Sequence, residues 1–326
     1  LDLITPARTW AANEAAGDTD SESLHSDRMT LMQSVVMFLS VVGPVAGLVA
    51  AIALLWHRDW SFGSVGWAEI SVMAAMYVLA GFGVTIGFHR LLTHRSFETY
   101  RWVKWTLAIM GSVAAQGMCI NWCATHRRHH QKSDRDGDPH SPHLHGEGVG
   151  GLLRGMWHAH VMWCFDKDCP DMARSVPDLL EDRVLLVIDQ LYFFWVGVGI
   201  LIPGVLLGWL TQSWAGFFSG IIWGGFVRIC LLQHVTWSIN SVCHVWGTRP
   251  FQSADHSCNN FPIAIVSLGE GWHNNHHAFP TSARHGLRWW QFDSSYILIK
   301  VMEKVGLAWN VIVPPERALA AKLRAR

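Results

Sequence analysis

The stretch Trp67-Ala-Glu-Ile-Ser-Val-Met-Ala-Ala-Met-Tyr-Val-Leu-Ala-Gly-Phe-Gly-Val-Thr-Ile-Gly-Phe-His-Arg-Leu-Leu-Thr-His94 decides what kind of protein this is. From Trp67 to Phe88 the only charge is Glu69, near one end. A bilayer core takes about 20 apolar residues of helix to cross, so this segment is read as a membrane span. Gly81, Gly83 and Gly87 thin its second half and let another helix approach closely. It runs into His89 and His94. Residues three and four apart share a helical face, whereas residues five apart diverge. If both imidazoles serve one site, the span unwinds or kinks there.

Working outward, three more uncharged or nearly uncharged runs read as spans: Leu31 to Trp56, Val184 to Leu210 with Asp189 near its entrance, and Trp214 to about Leu232. Thr211, Gln212 and Ser213 alone separate the last two, which fits a helical hairpin. Trp105 to Trp122 is apolar enough to resemble a fifth span, but a crossing there would put the histidines at 89 and 94 and those at 126 to 130 on opposite membrane faces. Gln116 and Asn121 inside it, with Arg101 and Lys104 before it, suit an interfacial or protein-covered helix. The fold class expected is therefore all-α integral membrane: four transmembrane helices, interfacial helices and a cytoplasmic, histidine-rich cap for two metal ions.

Composition agrees. Of 326 residues only 15% are Asp, Glu, Lys or Arg, against 50% hydrophobic, while soluble proteins carry about 25% charged residues. This excludes a disordered chain and a polybasic nucleic-acid binder. Lys and Arg number twelve between Phe88 and Val184 and nine beyond Leu232, while the two opposite loops hold only Arg58. The positive-inside rule then places the histidine-rich face and both termini of a multi-pass membrane protein in the cytoplasm. Residues 1–30, with six acids and two bases, read as a mobile acidic tail without the basic start and cleavage site of a signal peptide, and Leu1 as a processed or incomplete start. Residues 31–310 read as one membrane domain and 311–326 as a C-terminal tail. The seven cysteines form no C-x-x-C pair, so neither a disulfide framework nor a fused iron–sulfur carrier is indicated.

Four clusters carry the chemistry: His89 with His94; His126-Arg-Arg-His129-His130; Asn240-Ser-Val-Cys-His244; and His273-Asn-Asn-His276-His277. The H-x-x-H-H spacing aims three imidazoles from one helical face at one point. Neutral imidazole is a natural ligand for first-row metals such as iron, and nine histidines exceed what one ion takes, so two ions are expected. His25, His57, His158, His160, His234, His256 and His285 read as ordinary core or interfacial residues. His140, His143 and His145, in a Pro-containing loop, are a candidate extra site but more simply structural.

In this order and spacing, the clusters resemble the membrane fatty acyl desaturases, specifically the acyl-CoA delta-9 (stearoyl-CoA-like) branch. The resemblance runs from about Gly83 to Ala308. It is most specific in Gly83 to His94, in His234-Val-Thr-Trp-Ser-Ile-Asn-Ser-Val-Cys-His244 and in Gly269-Glu-Gly-Trp-His-Asn-Asn-His-His-Ala-Phe-Pro280. It implies two irons held by His89, His94, His126, His129, His130, His244, His273, His276 and His277, with Asn240 reaching one iron through water and O2 as co-substrate. An unactivated methylene C–H is beyond side-chain acid–base catalysis, so the metal must supply the oxidant. The resemblance further implies an acyl tunnel bent by Gln116, Trp122 and Thr236, with Trp237 beside them. Tyr77 and Met73, three to four turns before His89, are the expected closed end.

The implied substrate is a saturated acyl-CoA, or another acyl thioester or lipid, gaining a cis double bond at delta-9. Electrons are expected from a separate ferredoxin, rubredoxin or cytochrome b5-like donor with its reductase. Asn121-Trp-Cys-Ala-Thr125 departs from animal-type acyl-CoA enzymes, which place charged CoA-binding residues there. The loop from Asp138 to His145, followed by Gly146-Glu-Gly-Val-Gly-Gly151, looks more like bacterial members. Two other classes share some of these features. A membrane di-iron hydroxylase or alkane monooxygenase differs in product mass. A metal transporter or haem-binding membrane protein would want ligands near the bilayer midplane.

Overall fold

A computed structural model describes residues 27–28, 31–56, 65–166 and 168–324. The expected acidic tail lies almost wholly outside these residues, as do His25, His57 and Arg58. The described chain is helical, with only two-residue strand pairs. Asp27–Arg28 pairs with Asp168–Cys169, and Glu98–Thr99 with Ala308–Trp309.

Helix α1 (Leu31–Trp56) leads into α2 (Trp67–Phe82), which continues without a break as a π-helix over Gly83–Thr93. α3 (Arg101–Ser112) packs against that π-helix. A Cβ on Gly83 would sit 2.1 Å from the Gly111 nitrogen, and one on Gly87 would sit 2.9 Å from the Leu107 carbonyl oxygen. The glycines are therefore what allows backbone-to-backbone contact. Six non-helical residues then lead to α4 (Cys119–Lys132), so the apolar run from Trp105 to Trp122 is two helices around a turn and does not form one continuous helix.

α5 (Gly148–His160) lies beside the last span; the short α6 (Met172–Ser175) and α7 (Pro177–Leu180) follow. The third span begins later than the sequence implies. α8 (Arg183–Gln190) is a separate helix started by Asp182, whose carboxylate accepts the Val184 and Leu185 N–H groups, and α9 (Tyr192–Thr211) follows after Leu191. The fourth span runs longer than expected: α10 (Trp214–Gly220), a π-helical turn (Ile221–Val227) and α11 (Arg228–Ser241) form one rod reaching His244.

Among the described residues, three helices are long and apolar enough to cross a membrane: Trp67–Thr93, Tyr192–Thr211 and Trp214–His244. α1 contributes a shorter apolar stretch, Met37–Ala53, so three of the four expected spans meet that criterion. The cap is completed by α12 (Phe261–Val266), α13 (His273–Ala278), α14 (Ser294–Lys304) and α15 (Glu316–Lys322). α15 is docked: Ala318 and Leu319 pack on the cluster of Phe251, Ala278 and Phe279, and the Lys322 carbonyl accepts from Gln252.

Candidate metal centre

The π-helix explains the five-residue histidine spacing. Its bonds run from residue i to residue i−5, and the His94 N–H donates to the His89 carbonyl at 3.1 Å. That winding turns His89 and His94 to one side, their rings 4.8 Å apart. α4 presents His126, His129 and His130, α13 presents His273, His276 and His277, and His244 ends the last span.

The nine imidazoles form two groups. His89, His94, His126, His130 and His276 make one, and His129, His244, His273 and His277 the other; within each, the ligand nitrogens all lie within 4.8 Å of one another. The groups adjoin, with His130 stacked on His277 at 4.5 Å. Asn240 and His273 share the wall of a cavity.

The donor set fits metal ions. Nε2 atoms meet at 3.1 Å between His89 and His276, 2.9 Å between His276 and His130, 3.1 Å between His130 and His126, and 3.0 Å between His244 and His273. Nitrogens about 2.1 Å from one ion at right angles stand about 3 Å apart. One ring proton per neutral imidazole cannot satisfy a run of four Nε2 atoms in contact. The Nε2 atoms of His94, His129 and His277 are buried with no hydrogen-bond partner, a cost that a bound cation removes.

Carboxylates fix the other ring nitrogen. His89 Nδ1 lies 2.5 Å from Glu270, His129 Nδ1 2.9 Å from Asp138, His244 Nδ1 2.9 Å from Asp134 and His277 Nδ1 2.5 Å from Asp255. Such a partner holds the proton on Nδ1 and leaves the Nε2 lone pair for a metal. Burial pulls His94, His126, His130, His273 and His276 well below the usual histidine range, with neighbouring imidazoles adding to the shift. Burial likewise takes His277 down to about 4, against the pull of Asp255. His129 moves the other way: burial is its largest single influence and lowers it, but Asp138, Asp134 and Asp255 together outweigh burial and raise it.

These carboxylates were not anticipated from the sequence. The available signal was that Asp134, Asp138, Asp255 and Glu270 sit within a few residues of the histidine clusters or the loops joining them, in a chain poor in charge. Arg90, wholly buried, ties the π-helix to the cap by pairing with Glu270 at 2.8 Å and Asp293 at 2.9 Å. His285 is no ordinary core residue: it lies 3.2 Å from Glu270, and its ring is 4.4 Å from that of His276. His140, His143 and His145 do not converge. His140 packs at 4.3 Å on His129, His143 Nε2 donates to the His244 carbonyl at 2.8 Å, and His145 packs at a tilt against His158.

Gln116, Trp122, Thr236 and Trp237 all line the cavity, which reaches His89, His126 and His273. Gln116 Nε2 donates to the Thr236 hydroxyl at 3.3 Å, and Trp122 stacks on His126 at 5.0 Å. At the other end the lining includes Gly81 and Val266. Tyr77, one turn before Gly81, donates its hydroxyl to the Val266 carbonyl at 2.8 Å; neither Tyr77 nor Met73 is among the lining residues.

Three long apolar helices, a largely buried nine-histidine cluster at their ends and an adjoining cavity define the class: a membrane-type helical protein whose donor set suits metal ions. A family model for fatty acid desaturases matches residues 67–312. The chain is 42% identical over 304 residues to the hex-5-enoyl-[acyl-carrier protein] acetylenase of Moorena producens (strain JHB), covering 93% of each chain. It is 40% identical over 248 residues to the sn-1 stearoyl-lipid 9-desaturase of Anabaena variabilis, which spans 75% of this chain and 84% of the relative. It is 39% identical over 256 residues to the acyl-CoA C20 delta5-desaturase of Anemone leveillei, spanning 77% of this chain and 76% of the relative. The chain belongs to the fatty acid desaturase family.

Proposed function

We propose that this desaturase introduces a cis double bond, at delta-9, into a saturated acyl chain carried as a thioester or lipid ester, using two irons, O2 and electrons from a separate ferredoxin, rubredoxin or cytochrome b5-like donor. The observation that carries the proposal is the adjacency of the two histidine groups to a cavity walled by Gln116, Trp122, Thr236 and Trp237. The relatives named above act on acyl-carrier-protein, lipid and CoA substrates, so the carrier varies among them. The excess of Lys and Arg on the histidine-bearing side supports a metal centre on the cytoplasmic face, here of a bacterial inner membrane.

Bound iron would supply the oxidant for two adjacent C–H bonds. His89, His94, His126, His130 and His276 would hold one ion; His129, His244, His273 and His277 would hold the other, with Asn240 through water. Glu270, Asp134, Asp138 and Asp255 keep the ring protons on Nδ1, so the ligand set is fixed before an ion arrives. Trp122 covers His126 on the cavity side, and apolar walls keep water from the reacting carbons. An alkyl chain offers no polar handle, so the shape of the cavity selects the carbons. The balance is one CH2–CH2 unit, O2, two electrons and two protons giving one CH=CH unit and two waters.

The test is expression of the full chain in a bacterial host, with gas chromatography and mass spectrometry of the fatty acids. The expected product is a mono-unsaturated acid two mass units below its precursor. A product sixteen units heavier would instead mark a hydroxylase and overturn the proposal. A two-unit loss confined to an acyl chain that is already unsaturated, leaving a triple bond, would overturn the saturated substrate while keeping the metal chemistry.

A further inference from the structure

Between α3 and α4 the chain leaves helix for residues 113–118, with Ala115 at φ 55° and Gly117 at φ 98°. This turn is wedged among the spans. Irregular backbone there is tolerated only where protein satisfies its polar groups, and side chains of the surrounding helices do so. Arg228 Nη1 donates to the Val113 carbonyl at 2.9 Å and Gln233 Nε2 to the Ala115 carbonyl at 2.7 Å. The Gly117 N–H donates to the Tyr192 hydroxyl at 3.4 Å, and the Ile120 N–H to Asp189 at 2.8 Å.

Arg228 is an expensive residue for this task. It is wholly buried in an apolar span, and among the described residues no carboxylate pairs with it. Its remaining bonds also go to carbonyl oxygens, those of Gly199 and Gly224. Charged groups inside spans are costly and mark function. Gln233, 2% exposed, donates to the Ser40 carbonyl of α1 as well, so it joins the turn to a second helix. Neither residue lines the cavity, but the turn they hold carries Gln116, which does. Gln116 donates to Thr236, one turn beyond Gln233 on the same helix. One helix thus supplies part of the cavity wall and the clamp that places the wall facing it.

We propose that Arg228 and Gln233 are positioning residues for regioselectivity: by holding the Val113 and Ala115 carbonyls they fix the height of Gln116, and with it which acyl carbons face the metal centre. This rests on the desaturase function proposed above. Misplacement of about 1 Å can cost a reaction roughly a hundredfold, and a wall shift of that size is comparable to one carbon of an extended chain.

The test is the position of the double bond, read by mass spectrometry of dimethyl disulfide adducts from membranes of a host expressing the full chain, together with metal content per chain. Gln233→Leu, Arg228→Lys and Ala115→Gly each loosen the turn by a different route; the last touches no span side chain. The parent should give one dominant isomer. The variants should raise the share of isomers displaced by one or more carbons at least tenfold, with metal content unchanged. An unchanged isomer profile in the variants that keep metal and turnover overturns the proposal, even if their thermal stability falls. A parent that forms no unsaturated product overturns the desaturase function itself, so the two failures are distinguishable.

Discussion

The two histidine groups are built on different principles. The four-histidine group has three members anchored by separate carboxylates, His129 by Asp138, His244 by Asp134 and His277 by Asp255. The five-histidine group has one such anchor, Glu270 on His89, shared with Arg90 and His285. Its remaining members are placed by the backbone: the π-helix for His94, α4 for His126 and His130, and α13 for His276. One group is tuned by charge and the other is held by winding, and variants should separate the two.

The largest effects come from the ligands themselves. His130→Ala and His277→Ala should each lower metal content from two ions per chain towards one or fewer, with activity down at least a hundredfold. Metal analysis and product assay on purified protein check this. If both variants retained two ions, the division into groups would fall.

Next come the anchors. Removing an outer partner typically costs ten- to a hundredfold in metal affinity, so Asp255→Asn and Glu270→Gln should both do so when titrated with iron. Glu270→Gln should also lower the melting temperature more, because it strips a partner from the buried Arg90, a loss of about 3–5 kcal/mol for such pairs. Equal melting temperatures would show that Glu270 serves the metal alone.

Acid should then distinguish His129 from the imidazoles of lowered pKa in metal-free protein. A buried imidazole with a lowered pKa stays neutral while its unfolded counterpart takes up a proton below about pH 6.5. Folding therefore loses stability as pH falls from 6.5 towards the lowered value. His94, His126, His130 and His276 all act this way, as do His273 and His277. His129, raised by Asp138, acts oppositely: its contribution is present in acid and fades as pH rises through its folded value. Melting curves from pH 8 to 5 should show the acid slope reduced by His126→Asn and not by His129→Asn. The reverse order would contradict the assignment of charge.

The smallest effect is expected from a residue outside both groups. Tyr77→Ala removes the bond to the Val266 carbonyl behind the far end of the cavity. It should lengthen the preferred acyl chain by several carbons while both metal groups stay full. Met73→Trp, one turn further, should restore the shorter preference in that background. Competition among saturated substrates of graded length reads this, and an unchanged profile in folded, metallated enzyme removes Tyr77 from chain selection.

What the sequence revealed follows from what local spacing can encode. The H-x-x-H-H clusters are periodic and their helices turn toward the centre, but the three imidazoles of each do not meet at one point: His129 joins a different group from His126 and His130, and His276 a different group from His273 and His277. The five-residue interval from His89 to His94 announced a distortion, and the π-helix is its form. The third span starts at Tyr192 because Asp182 caps a separate helix, a polar interruption that an apolar run from Val184 conceals. Two of the carboxylate anchors and the clamp on residues 113–118 were hidden because they join distant segments: His89 lies 181 residues before Glu270, His244 lies 110 after Asp134, and Arg228 lies 115 after Val113. No periodicity in either segment points to the other. His285 looked ordinary for the same reason, being a lone histidine placed against Glu270 only by the folding of the cap.

The central claim is that nine histidines hold two irons in the working enzyme. Its most direct test is metal analysis of the purified full chain in a preparation that forms unsaturated product. The account predicts two irons per chain, with activity rising in step with iron content. A single ion per chain, or zinc at full occupancy in active enzyme, would contradict it.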